Sequence, residues 1–210
     1  MTRRLAQGLA LAALLAFLGC ATPDKPVRAM LYDFGPGATV APASTAAGLA
    51  PLVLADIEAS AALDGSALLY RLGYADAHQL RPYAHARWSA PPPQLIRQRL
   101  REQLARERPV LDLNESSALA RSGGAMPRIL RIELEEFSHF FEAPAQSWGL
   151  LRLRATLLDN TPAGERLLAQ RSIVVKRPAT TLDAPGGVRA LAAATDAAAD
   201  EIAQWVAQQR

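Results

Sequence analysis

Cysteine is nearly absent from this sequence: Cys20 is the single one in 210 residues. If its thiol is modified, none remains for a disulfide, a cysteine-ligated metal or a nucleophile. The domain must then be held together by packing alone. Histidine is also scarce, and His78, His85 and His139 lack the HExxH spacing of a zinc enzyme.

Catalytic motifs are missing as well, since there is no GxSxG nucleophile elbow and no GxxxxGKS or GxxxxGKT phosphate loop. Glu133 and Glu135 alternate with core residues along a predicted strand, which favours a solvated face over an acid–base pair. The sequence therefore predicts a protein that is not an enzyme and has no cofactor or metal. The alternative is a periplasmic hydrolase with an unrecognised site among Ser122, His139 and the glutamates, Glu136 included.

A strong charge of one sign is lacking too. The formal net charge is +3, and removal of Arg3 and Arg4 with a signal peptide would leave 21 basic against 20 acidic residues. A nearly neutral chain is a poor match for a phosphate backbone. We therefore expect no nucleic-acid partner.

The N-terminus carries the clearest signal in the chain. Arg3 and Arg4 precede an apolar run that ends at Cys20, which is the pattern of a secretory signal peptide and is too short to cross a bilayer. The four residues 17–20, Phe-Leu-Gly-Cys, resemble a bacterial lipobox, with phenylalanine where leucine is preferred. We predict a lipoprotein signal over 1–20 and acylation of Cys20; the alternative is a plain signal peptide.

The rest of the chain is predicted to be a tether over 21–28 and one domain over 29–210. Ala21 is similar to the outer-membrane type of lipoprotein sorting signal, because an aspartate there would suggest retention in the inner membrane. We therefore expect a lipid-anchored protein on the periplasmic side of the outer membrane of a Gram-negative bacterium.

Hydrophobic residues make up 50% of the chain, which excludes a disordered protein. Alternation of apolar and polar residues predicts strands over 30–34, 52–58, 67–72, 110–113, 129–141, 148–159 and 166–176. The spans 52–58 and 67–72 are predicted to form a hairpin, 114–125 a loop, and the doubled Glu135-Glu136 a β-bulge. Helical spacing predicts helices over 94–108 and 187–208, with Asp183 as an N-cap. The predicted fold is α+β: one mixed or antiparallel β-sheet with two amphipathic α-helices packed on one face.

Scattered residues along the whole mature chain resemble one family, the ABC-type transport auxiliary lipoproteins, which include paraquat-inducible protein C. The matching positions are Pro51 to Leu54, Leu63 to Gly65, Leu69 to Arg71, Leu80, Tyr83, Arg87-Trp88, Pro91-Pro92 and Ile202 to Val206. This resemblance implies a partner of an MCE-type (mammalian cell entry) lipid transport system driven by an inner-membrane ATPase. It also implies binding to the MCE-domain subunit, attachment to the membrane by N-terminal acyl chains, and a possible homo-oligomeric ring.

Three groups of residues are candidates for binding or packing. The first group could bind a partner, or it could fix the chain before the helix in place, and this structural role is favoured. Its residues are Tyr70, Arg71, Tyr83, Arg87, Trp88 and Pro92. The second is a predicted solvent-facing interface on the helix, comprising Arg97, Arg101 and Arg108. The third group belongs either to the hydrophobic core or to the apolar mouth of a lipid path, and the core is favoured. Its residues are Phe137, Phe140, Phe141 and Trp148.

The sequence leaves one further class of function open. An assembly factor, such as a lipoprotein activator of a cell-wall synthase, would also be a tethered domain without catalytic motifs. Only the family resemblance argues against it at this point. Native partners would separate the two, because one predicts MCE-domain proteins and the other a penicillin-binding protein.

Overall fold

The computed structural model describes residues 28–37, 49–121, 126–161 and 163–209. The predicted signal peptide, Cys20, Ser122 and nearly all of the predicted tether lie outside the described residues. In the described part there are nine strands and four helices. The strands are β1 (Met30–Tyr32), β2 (Leu52–Leu54), β3 (Glu58–Ala59), β4 (Ala67–Leu72), β5 (Ala77–Trp88), β6 (Val110–Leu111), β7 (Arg128–Ala143), β8 (Gln146–Thr161) and β9 (Gly164–Pro178). The helices are α1 (Gly73–Asp76), α2 (Pro92–Leu104), α3 (Leu113–Arg121) and α4 (Ala184–Gln208).

All nine strands belong to one mixed sheet, so the predicted α+β class with a single sheet is confirmed. Strand β7 is central. On one side it pairs in parallel with β2, β3 and β4, and on the other it begins the antiparallel meander β7–β8–β9. Strand β5 pairs with β4 and β1, and β6 pairs with β2.

The predicted hairpin of 52–58 with 67–72 is wrong. Strands β2, β3 and β4 lie one after another along β7, opposite Arg128 to Leu130, Glu133-Leu134 and His139 to Phe141 respectively. A tight turn does form, because the N–H groups of Leu63 and Asp64 donate to the Ser60 carbonyl. After this turn the chain continues in its earlier direction, so β4 runs parallel to β7 as β2 and β3 do. Strand β7 is long enough to pair with all three short strands end to end.

The predicted β-bulge in β7 is confirmed by a register shift between Leu134 and Glu136. Before the shift, the buried core-facing residues are Leu130, Ile132 and Leu134. After it, the core face passes to Phe137, His139 and Phe141.

One prediction about an irregular segment is wrong, and one segment without a predicted structure is regular. The predicted loop 114–125 contains α3, whose start is a capping box: Asp112 Oδ1 accepts from the Glu115 N–H at 2.8 Å, and Glu115 Oε2 accepts from the Asp112 N–H at 2.7 Å. The segment 74–88 contains α1 and then the long strand β5. The prediction of two helices is therefore corrected to four in the described residues.

The two long helices both contribute to the main hydrophobic core. Helix α2 buries Ile96, Leu100 and Leu104, and it contacts α4. Helix α4 is capped by Asp183, whose Oδ1 accepts from the Gly186 N–H at 2.9 Å, so the predicted N-cap is confirmed. It lies so close to the sheet that a Cβ at Gly149 would overlap the backbone of Ala190 and Leu191. Within the described ranges no helix is both long and apolar enough to cross a bilayer.

Candidate functional site

The predicted aromatic–arginine group is only partly brought together. Tyr70 and Arg71 on β4 lie beside Tyr83 on β5, with the Tyr70 and Tyr83 ring centroids 4.8 Å apart. Trp88 lies at the far end of β5, Arg87 next to it is exposed, and Pro92 is buried in the first turn of α2. Tyr70, Arg71 and Tyr83 meet residues of β7 that the sequence analysis had placed in other roles.

Arg71 forms a two-pronged ion pair with Glu136. Its Nε and Nη2 donate to Glu136 Oε1 and Oε2 at 3.1 and 3.0 Å, and its Nη1 donates to the Ala77 carbonyl at 3.2 Å. The two side chains are only 20% and 12% exposed. The pair ties β4, β5 and β7 together, and it is strong because both carboxylate oxygens are used. Glu133, with 53% of its side chain exposed, lies on the predicted solvated face, but Glu135 is only 17% exposed because it pairs with Arg152 and Arg154.

A second polar chain crosses the core side of the sheet. The Tyr83 hydroxyl lies 2.8 Å from His139 Nδ1, and His139 Nε2 lies 2.8 Å from Ser147 Oγ. His139 is 0% and Ser147 4% exposed. Gly187 of α4 lies against the imidazole, since a Cβ there would come within 2.6 Å of Nδ1. One histidine therefore joins β5, β7 and β8 beneath the start of α4.

Burial sets the protonation of this chain. It lowers the pKa of His139 to about 4, although the nearby Asp183 carboxylate acts in the opposite direction. Burial also raises the pKa of Tyr83, with smaller contributions from Tyr70 and Asp183. At neutral pH the imidazole is therefore uncharged and the phenol keeps its proton. The serine–histidine contact resembles part of a hydrolase triad, but a tyrosine occupies the position of the orienting acid and both groups are buried.

Trp88 is a core residue. It is 1% exposed, and its ring centroid lies 5.5 Å from those of Phe34 and Phe137. This cluster joins the segment after β1 to β5 and β7. The third candidate group is divided between the two faces of the sheet. Phe137 and Phe141 are buried in the core, whereas Phe140 and Trp148 are paired across β7 and β8 on the other face and are partly exposed.

The prediction that Arg97 faces solvent is wrong. Its side chain is 24% exposed, and its Nη2 and Nε donate to the carbonyls of Leu54 and Ala55 at 3.1 and 3.3 Å, just after β2 ends. Arg101 has 42% of its side chain exposed and lies 3.9 Å from Glu115. Arg108 is half-buried, and this burial lowers its pKa.

No group of three or more histidine, cysteine or acidic side chains converges as a metal site within the described part of the chain. Ser122 lies outside the described residues, so its distance to His139 is not defined. Sequence reasoning missed Ser147 altogether, and it missed the ion pair that Glu136 forms with Arg71. The sequence signal for Glu136 was the bulge itself, because one extra residue turns it away from the core.

Replacement of Arg71 by alanine should lower the unfolding free energy by about 3 kcal/mol, because it leaves Glu136 buried without its partner. Urea unfolding measures this change. Arg87→Ala is the matched control: Arg87 is exposed on the neighbouring strand, and its loss should change stability by less than about 0.5 kcal/mol. Equal stability of the two variants would contradict a structural role for the ion pair.

The buried histidine predicts a pH dependence of stability. Above the unfolded-state pKa of 6.5, both states carry neutral imidazole and the contribution of His139 is full. As the pH is lowered from 6.5 to about 4, the unfolded chain gains a proton on this histidine that the folded protein does not. The unfolding free energy therefore decreases as the pH decreases, by up to about 3 kcal/mol. His139→Gln should flatten this part of the profile in urea unfolding. His85→Gln, at an exposed position, should keep the pH dependence of the unaltered protein. If His139→Gln also keeps that pH dependence, His139 is not its cause.

Comparisons with known proteins agree with the fold. A crystal structure from Xanthomonas campestris, of a protein with the family designation DUF330, is 17% identical with a TM-score of 0.66, covering 84% of this chain and 94% of that one. A crystal structure of an uncharacterised protein is 14% identical with a TM-score of 0.61, covering 85% of this chain and 99% of that one. At these identities the likeness shows the fold alone.

A search of curated proteins gave no significant match. The family profile described as ABC-type transport auxiliary lipoprotein component matches residues 32–203, which is most of the chain and nearly all of the domain. The match begins at the last residue of β1 and ends within α4, so it includes the whole sheet except the first two residues of β1. It implies a membrane-anchored protein of the cell envelope. The chain belongs to the ABC-type transport auxiliary lipoprotein family.

Proposed function

We propose that this protein is a periplasm-facing lipoprotein subunit of an MCE-type intermembrane lipid transport system, and that it acts by binding the MCE-domain subunit. The observation that carries the proposal is the family match over residues 32–203. The sequence has no phosphate loop, so the energy for transport would come from a separate ATPase subunit.

We propose that the anchor is a triacylated Cys20 in the outer membrane. Each buried CH₂ contributes about 0.8 kcal/mol, so several acyl chains hold a protein far more firmly than one does. Ala21 supports the outer membrane as the destination.

A binding role is consistent with the buried serine–histidine contact. A hydrolase needs its nucleophile within reach of a substrate carbonyl. Ser147 is 4% exposed, and the imidazole beside it is covered by α4. The contact is therefore better explained by packing than by catalysis.

Homo-oligomerisation into a ring remains part of the proposal. MCE subunits form rings, and a ring of lipoproteins could cap or receive them. Strand β9 supports this idea: it runs from Gly164 to Pro178 and pairs only with β8 among the described strands. Its second edge is therefore available to another chain.

Cys20→Ala should release the protein from the membrane fraction, because the acyl chains attach through that thiol. Cell fractionation followed by immunodetection measures this. The matched variant Ala21→Asp keeps the cysteine, and it should remain membrane-bound but move from the outer to the inner membrane. A Cys20→Ala protein that stays with the membranes would refute the proposed anchor.

The candidate interface can now be separated from structural arginines. Arg101→Glu and Arg108→Glu should each weaken co-purification with the MCE-domain subunit, by about 1 kcal/mol or more in binding free energy. Arg131→Glu, at an arginine with 52% of its side chain exposed on the central strand β7, is the charge-matched control and should bind normally.

Arg97→Glu should instead reduce stability by about 1–3 kcal/mol, because it leaves the Leu54 and Ala55 carbonyls without a donor. Thermal unfolding of every variant distinguishes lost binding from lost folding. If Arg101→Glu and Arg108→Glu are folded and still bind normally, the interface lies elsewhere. Recovery of a penicillin-binding protein instead of an MCE-domain protein would favour the assembly-factor function.

A further inference from the structure

One end of the sheet carries a group of aromatic and apolar side chains that the proposed function has not used. It is formed by α1, by the turn between β7 and β8, and by the segment that joins β9 to α4. Tyr74 and Leu182 are each 48% exposed, and Phe140 and Trp148 are partly exposed. We call this surface the aromatic end; its residues are Tyr74, Phe140, Trp148, Pro178 and Leu182.

Strand register shows that these residues are neighbours. Trp148 pairs with Phe140 on one side and with Pro178 on the other. Gly73 packs against the Phe140 ring so closely that a Cβ there would overlap it, which places Tyr74 beside the same ring. The Ala179 N–H donates to the Ser147 carbonyl at 2.9 Å, so the segment with Leu182 leaves β9 at this end.

The first residue of β1 lies on the side of the sheet that faces the aromatic end. Strand β1 runs parallel to β5, with Met30 opposite Ala86 and Tyr32 opposite Trp88. Its N-terminal side therefore faces the start of β5 at Ala77, which directly follows α1. The ten residues from Cys20 to Met30 can span about 35 Å. This length is sufficient to bring Cys20 level with α1.

We propose that the aromatic end lies in the headgroup region of the membrane that holds the acyl chains, so that the domain has a fixed orientation on the bilayer. Tryptophan and tyrosine are enriched at that depth because their rings are apolar and their N–H or O–H groups are polar. Trp148 Nε1 donates to Glu142 Oε2 at 3.0 Å, so its polar N–H already has a partner, and this carboxylate is exposed.

The charges at this end favour aromatic insertion over electrostatic attraction. Lys176 lies 5.9 Å from the centre of the Phe140 ring, and Arg177 follows it. Asp76, Glu142 and Asp183 lie at the same end and outnumber these two cations, so this end carries no excess of positive charge to attract an anionic surface. A neutral phospholipid surface should therefore be sufficient.

The inference rests on the proposed lipid anchor, and Trp148 allows the two to be tested separately. The chain has three tryptophans; Trp88 and Trp205 are 1% and 6% exposed, so Trp148 is the one within reach of lipid. The full-length acylated protein is reconstituted in phosphatidylcholine vesicles with or without brominated acyl chains, which quench nearby tryptophan fluorescence. Flotation of the vesicles measures the anchor, and quenching measures the orientation.

We expect brominated lipid to quench the fluorescence, and Trp148→Phe to abolish the quenching. The double variant Tyr74→Asp, Leu182→Asp should float normally but lose about half or more of the quenching, because two exposed side chains then resist insertion. Leu167→Asp is the matched control: Leu167 is 60% exposed at the opposite end of β9, and its replacement should change nothing.

Three outcomes would overturn the inference. A protein that floats without quenching keeps its anchor but not this orientation. A Trp148 that is protected from aqueous iodide, yet not quenched by brominated lipid, is covered by another protein chain. A protein that does not float lacks the anchor, and this result refutes the proposed function as well.

Discussion

The extra residue in β7 at Glu135 is the constraint on which the rest of the domain depends. A strand presents alternate residues to each face, so one added residue exchanges the faces for everything that follows. Here the exchange turns His139 into the core and Glu136 out of it. Without the bulge, Arg71 would meet an aromatic ring and Tyr83 would have no imidazole to contact. The ion pair and the polar chain are both consequences of this single register shift.

The same geometry explains why residues that look suited to a partner serve the fold instead. Arg71 lies on β4, which pairs with β7 only in its C-terminal half, and Tyr83 lies on β5, which pairs with β4 and not with β7. Their polar side chains reach across to Glu136 and His139 and so join these strands to β7. The same holds on α2, where Arg97 donates to carbonyls at the end of β2 and Arg99 donates to a carbonyl after β1. Binding is left to the surfaces that these contacts do not use.

The parts of the fold that follow from local pattern could be read from the sequence. Strict alternation revealed the three long strands, and the doubled glutamate revealed the bulge. The capping box of Asp112 and Glu115 is also a local pattern. It was missed because Leu111 and Leu113 resemble the end of a strand and Ser116 and Ser117 resemble a loop. Strand pairing could not be predicted from the sequence, because no local feature of residues 52–72 indicates that these strands pair with β7 rather than with each other. For the same reason, helical spacing identified the arginines of α2 but not the carbonyls beneath two of them.

The end-to-end arrangement of β2, β3 and β4 on one strand also has a consequence for the order of folding. The β7–β8–β9 meander and α4 are close in sequence and can form from local contacts. Strands β2, β3 and β4, by contrast, each have one edge that pairs with β7, which is synthesised later. Those three edges must therefore stay unpaired until β7 has been made. In such a protein the last segments made organise the first.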